Sequence, residues 1–157
     1  MRSTPYILLA IPPMITACAS QQPPQVASAA IPPSSIAAEQ LVGDWGLASY
    51  HQESERVRTE AEARKQCNNP YRIGKGPTGG VMMYLADNSN LSELRLKGGP
   101  DGKNYIGPNG PIGEEDREIV SFDGNVMVTR WLDKDNASRY GTMIFVRCQR
   151  SSSSSVR

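Results

Sequence analysis

Arg117-Glu118-Ile119-Val120-Ser121-Phe122-Asp123-Gly124-Asn125-Val126-Met127-Val128-Thr129-Arg130-Trp131-Leu132 is the stretch that decides the fold. Two runs rich in β-branched and aromatic residues flank Asp123-Gly124, the pair that a two-residue type I′ turn prefers because both of its positions need positive φ. The segment therefore predicts an antiparallel hairpin with strands over 117–122 and 125–132. With a two-residue loop, Val120, Phe122, Met127 and Trp131 share one face, and Ile119, Val126, Val128 and Leu132 share the other. Both faces are apolar. That suits a barrel wall with a covering helix outside, or a wall lining a cavity. The same register sets Arg117 opposite Arg130, a like-charge pair that needs an acidic neighbour. Two readings are open: an anion site between the arginines, or side chains splayed toward Glu114, Glu115, Asp116 or Glu118.

Outward from the hairpin the chain keeps the same texture. Short strands bounded by turn residues are expected over 71–74, 80–86, 91–97 and 103–107, and a last one over 139–148 follows a turn at 133–137. A first strand covers 42–49. The fold class is mainly β: a small antiparallel up-and-down β-barrel of about eight strands, whose closure leaves no exposed edge. One surface α-helix follows the first strand, over 49–65. There Ser49-Tyr50-His51-Gln52 fits a capping box, Glu60 and Arg64 make an i,i+4 pair, and Val57 and Ala61 form a narrow apolar stripe.

The chain of 157 residues, 38% apolar and 21% charged, matches one soluble-type domain. Seventeen lysines and arginines stand against sixteen acids, and losing Arg2 with a leader would balance them. A neutral chain without a basic run has no footing on a phosphate backbone, so nucleic acid is not an expected partner. The first residues read as secretory: Arg2, an apolar run from Tyr6 to Ile11, then small residues around Cys18. Residues 6–19 are too few to cross a bilayer as a helix, and Pro12-Pro13 would interrupt one.

Ile15-Thr16-Ala17-Cys18 resembles the lipobox of bacterial lipoproteins. The resemblance implies a signal peptide over 1–17, a diacylglycerol on the Cys18 thiol and membrane attachment through that lipid. Ala19 in place of aspartate implies an outer-membrane address in the cell envelope. Ordinary cleavage after Ala17-Cys18-Ala19 or Ala27-Ser28-Ala29, releasing a secreted periplasmic protein, is the alternative. Lipidation of Cys18 leaves Cys67 and Cys148 as a pair that an oxidising envelope allows to join as a disulfide, against the alternative of two buried free thiols. Two isolated cysteines and the single His51 lack paired zinc spacing. Residues 18–38 form a linker of Pro, Ala, Ser and Gln, 39–149 the barrel domain, and 150–157 a disordered serine tail.

Other motifs are weaker. Gly74-Lys75-Gly76-Pro77-Thr78-Gly79-Gly80 has no Gly-Lys-Ser/Thr step opening a helix, so it is a loop and not a phosphate cradle. The segment 98–113 is a long connection or a lid. Asp133, Asp135 and Asn136 lack the glycine and distal glutamate of a calcium loop. His51 has no nucleophile motif nearby. The expectation is a non-enzyme with no catalytic residue, cofactor or metal.

Gly43-Asp44-Trp45 resembles the G-x-W of lipocalins and related calycin barrels. In that family the tryptophan of the first strand closes the barrel base under an arginine from the barrel's end. The match implies Trp45 with Arg147, or Arg130 as second choice, as barrel-closing residues. It also implies binding of a small apolar or amphipathic ligand, although an eight-stranded barrel can equally be filled by its own side chains. The alternative is a protein-binding module, since small periplasmic metalloprotease inhibitors also begin with G-x-W on a disulfide-bonded barrel, or a structural envelope lipoprotein.

Overall fold

The computed structural model describes residues 31–149. The leader, Cys18 and the serine tail lie outside the described residues. Eight strands follow in order: β1 (Gly43–Tyr50), β2 (Tyr71–Lys75), β3 (Val81–Tyr84), β4 (Leu91–Gly98), β5 (Asn104–Gly107), β6 (Arg117–Phe122), β7 (Val126–Trp131) and β8 (Thr142–Arg147). Each pairs antiparallel with its neighbour, and β1 with β8, so the sheet is a closed up-and-down barrel. Closure is uneven. β1 pairs with β2 only from Gly43 to Trp45, but with β8 from Trp45 to Tyr50. Beyond Trp45 the first two strands part, and the wall opens there.

The barrel interior is filled at the end where β1 begins. Leu41, Trp45, Ile73, Leu94, Ile106 and Phe145 are each at most 1% exposed, and full burial of a side chain of this kind stabilises by roughly 1.5–3 kcal/mol. The Trp45 indole donates to Leu41 O at 2.8 Å. The Arg147 guanidinium lies 4.2 Å from the Trp45 ring centroid and donates to three carbonyls, of Gly124, Val42 and Gln40. Arg130 is on the outer surface, paired with Glu118 at 2.9 Å. Residues 32–38, within the stretch read as linker, lie against this end. Gly98 N donates to Pro32 O, and Ser34 and Ser35 bond the Asn104 amide. This end, the base, is sealed.

Outside the wall, Ala48, Val126, Val128, Ile144 and Val146 form a second apolar cluster with Tyr50 and Ala63. A helix covers it: α1 (Arg56–Lys65), entered through a 3-10 turn (Glu53–Glu55). The helix starts later than the expected 49–65, because Ser49 and Tyr50 complete the β1–β8 ladder, and no capping side chain opens it. Its buried face is Thr59 and Ala63, not Val57 and Ala61, and Val57 is 83% exposed. The reason is close approach: a Cβ on Gly46 would stand 1.8 Å from Ala63 O, so strand and helix meet through their smallest residues. Past α1, Cys67 is joined to Cys148 by a disulfide that ties the helix end to the chain after β8.

The hairpin differs from its expected register. Asp123 N donates to Val126 O at 3.2 Å while its Oδ1 accepts from both Asn125 N and Val126 N, so the turn moves on by one residue to Gly124-Asn125, and the first ladder pair is Phe122 with Met127. A bulge between Ile119 and Ser121 then shifts the register again and leaves Val120 outside, 47% exposed. Arg117 therefore pairs with Trp131 and Glu118 with Arg130, and the like-charge clash is avoided. The turn expected at 133–137 is the start of a helix, α2 (Lys134–Tyr140), capped by Asp133 accepting from Asn136 N at 2.7 Å. The last strand accordingly begins at Thr142. The long connection after β5 is pinned from beneath. Lys97 Nζ, 3% exposed, donates to Asp116 Oδ1 at 2.7 Å, and Asp116 Oδ2 accepts from Gly113 N at 2.6 Å.

Candidate functional site

The end of the barrel away from the base carries the most unusual chemistry among the described residues. Its residues alternate in phase with the interior, yet they are not all apolar. Arg117 and Trp131 are partners across β6 and β7, and Thr129 lies two residues before Trp131 on the same face. All three are buried, at 1%, 5% and 0% exposure. The Arg117 guanidinium sits 4.2 Å from the Trp131 ring centroid, and its Nη2 donates to Tyr84 O. Three buried side-chain atoms have no hydrogen-bond partner among the described residues: Arg117 Nε, Trp131 Nε1 and Thr129 Oγ1. They all belong to this one patch.

Arg117 belongs to none of the ion pairs among the described residues. Burial lowers its pKa, and the Tyr71 hydroxyl beside it acts in the opposite direction. A guanidinium nonetheless stays charged in proteins. The Tyr71 hydroxyl is pushed up, chiefly by its own burial, and it accepts from Tyr84 N at 3.0 Å. A cation without a carboxylate partner is expensive to bury. The acid that lines the cleft at this end is otherwise engaged. Asp87, at φ 54° in the loop after β3, accepts from the Tyr140 hydroxyl and from Arg139 Nη1. The Tyr140 hydrogen bond first, then Arg139, holds the Asp87 carboxyl below its ordinary range. This ties the β3–β4 loop to α2 and frames the opening.

Two clefts meet here. One, of about 440 Å³, is lined by Tyr71, Tyr84, Leu85, Arg117, Trp131 and Met143 among others. The second, about 630 Å³, lies on the outer face of β2, β3 and β4 beside the β1–β2 gap, lined by Leu47, Pro70, Arg72, Met82 and Leu91 among others. They share Tyr71 and Tyr84, which meet edge to face with ring centroids 5.9 Å apart. A largely apolar trough thus runs from the outer face of β2 to β4, beside the open seam, to a buried cation. No protein-family model, no curated protein and no solved structure matches this chain.

The residues singled out in the sequence fall elsewhere. Trp45 and Arg147 stack at the base, Cys67 and Cys148 join on the helix side, and Cys18 lies outside the described residues. His51 is exposed, and no group of three or more His, Cys, Asp or Glu side chains converges among the described residues. Sequence reasoning missed Tyr71, Tyr84, Thr129 and Trp131 as a group. It singled out Arg117, but with Arg130 as its neighbour. The signal available was Arg117 two residues before Ile119, a charge in phase with the interior positions of its strand.

Proposed function

We propose that this chain is a lipid-anchored protein of the bacterial envelope that binds a small amphipathic ligand at the open end of its barrel. The observation that carries the binding half is the pair of joined clefts at Tyr71 and Tyr84, largely apolar along the outer face of β2 to β4 and cationic at Arg117. Ligand sites of this kind combine an apolar lining with a few placed polar groups. At the base, core side chains fill the interior, and the cleft of about 380 Å³ beside it, lined by Val42, Gly43, Asp44, Arg72, Ile73 and Gly74, carries no buried unpaired polar group among the described residues. The anchoring half rests on Ile15-Thr16-Ala17-Cys18 and on the uncharged stretch that follows. In this reading α1 and the disulfide are structural, and the chain is not an enzyme.

Both halves are tested on the full-length chain expressed in a bacterial host. Intact mass spectrometry is expected to give a chain beginning at Cys18 with added acyl groups, and an unacylated chain cut elsewhere would contradict the anchor. Native mass spectrometry after incubation with single-chain amphiphiles is expected to show one adduct. No adduct with any of them, together with inhibition of a secreted metalloprotease, would favour a protein-binding module instead.

A further inference from the structure

The clefts say that something amphipathic fits, and the polar patch says more. The trough's own chemistry fixes the sign and number of charges at its deep end. Arg117 is the buried cation there, stacked on Trp131 and free of any carboxylate among the described residues. Arg72, which lines the outer cleft, is paired with Asp44 at 2.9 Å, and Arg139, next to the lining residue Tyr140, is engaged by Asp87 at 2.6 Å. One positive charge is thus left uncompensated, and a ligand that matches it brings one negative charge. A guanidinium is built for a planar two-oxygen acceptor, which it meets with two parallel N–H donors. The orphaned Trp131 N–H lies on the same strand pair, and Thr129 stands one inward position deeper. Tyr71, which lines both clefts, places a hydroxyl beside the guanidinium.

We infer that Arg117 and Trp131 are the anchor for the carboxylate of a long-chain monocarboxylic acid, whose alkyl chain lies along the trough past Tyr71 and Tyr84 toward Leu91. This deepens the proposed function and rests on it. The carboxylate brings the counter-charge that Arg117 lacks, and the chain covers Tyr84 and Leu91, which are 41% and 47% exposed. A phosphate monoester, with up to two charges, is a poorer match for one free cation.

The experiment compares dodecanoate, dodecanol and dodecyl phosphate against the full chain, below their micellar concentrations, by titration calorimetry. Dodecanoate is expected to bind about tenfold or more tighter than dodecanol and tighter than dodecyl phosphate. Arg117→Gln is expected to erase the preference for dodecanoate while leaving dodecanol within about twofold of wild type, and Trp131→Phe to weaken dodecanoate alone. The wild-type comparison stands even if a variant fails to fold. Equal binding of dodecanoate and dodecanol, or tighter binding of the phosphate, overturns the carboxylate anchor and leaves the amphiphile-binding function intact. Binding of none of the three overturns both.

Discussion

Two arginines illustrate how the same side chain serves opposite ends of this barrel. Arg147 stacks on Trp45 and donates to three carbonyls, so it satisfies backbone groups that would otherwise end at the base without partners. Truncation to alanine removes a cation–π contact of about 1 kcal/mol and hydrogen bonds from a charged donor. Arg147→Ala is expected to destabilise by about 2–4 kcal/mol in urea unfolding. Arg117 has the reverse balance. It keeps one carbonyl and one indole face but no counter-charge, and replacing an uncompensated buried charge with an apolar group of similar size is commonly neutral or stabilising. Arg117→Met is expected to leave stability unchanged or raise it by about 1–3 kcal/mol. A loss as large as that of Arg147→Ala would mean that Arg117 is a structural residue and not a recognition one.

Among the elements, the β6–β7 hairpin determines which chemistry reaches the mouth. The displaced turn after Asp123 and the bulge at Val120 bring Glu118 beside Arg130, with Lys103 at 3.2 Å on its other side. Burial alone would raise the Glu118 pKa, but hydrogen bonds from Arg130 and Lys103 outweigh it and the net shift is downward from 4.5. A carboxyl whose folded pKa is depressed adds stability above its unfolded pKa and loses it as pH falls through the folded value. Unfolding free energy is therefore expected to fall below about pH 4.5, and Glu118→Gln to flatten that part of the profile. An unaltered acid slope in the variant would place the sensitive carboxyl elsewhere. The hairpin also marks the limit of what the sequence discloses. Its strands are legible because Asp123-Gly124 punctuates two β-rich runs, and the other strands are legible because turn residues bound each of them. The one-residue bulge is not legible, since Ile119-Val120-Ser121 looks like any regular strand, and without it Arg117 faces the wrong partner. α2 is hidden for a different reason: its seven residues bury none, so no apolar periodicity announces it. α1 is legible as a helix but not in its contact face, because Gly46 selects Ala63 by close approach and not by hydrophobicity.

At the scale of the whole molecule, one end is closed and pinned while the other is open and chemically unfinished. Trp45, Arg147, the segment before β1 and the disulfide all secure the base and the helix side. The disulfide spans 81 residues, for which the chain-entropy model gives a stabilisation of about 4.5 kcal/mol. Reduction is expected to lower the unfolding midpoint sharply while the native fold persists in mild conditions, checked by parallel thermal melts with and without reductant. The division of labour between the two ends is the central claim, and amide chemical-shift mapping tests it most directly. On titration of the labelled protein with dodecanoate, shifts are expected at Tyr71, Tyr84, Leu85, Arg117 and Trp131, with Leu41 and Arg147 unmoved. Shifts centred on Leu41 and Arg147, or none at any residue, would contradict it.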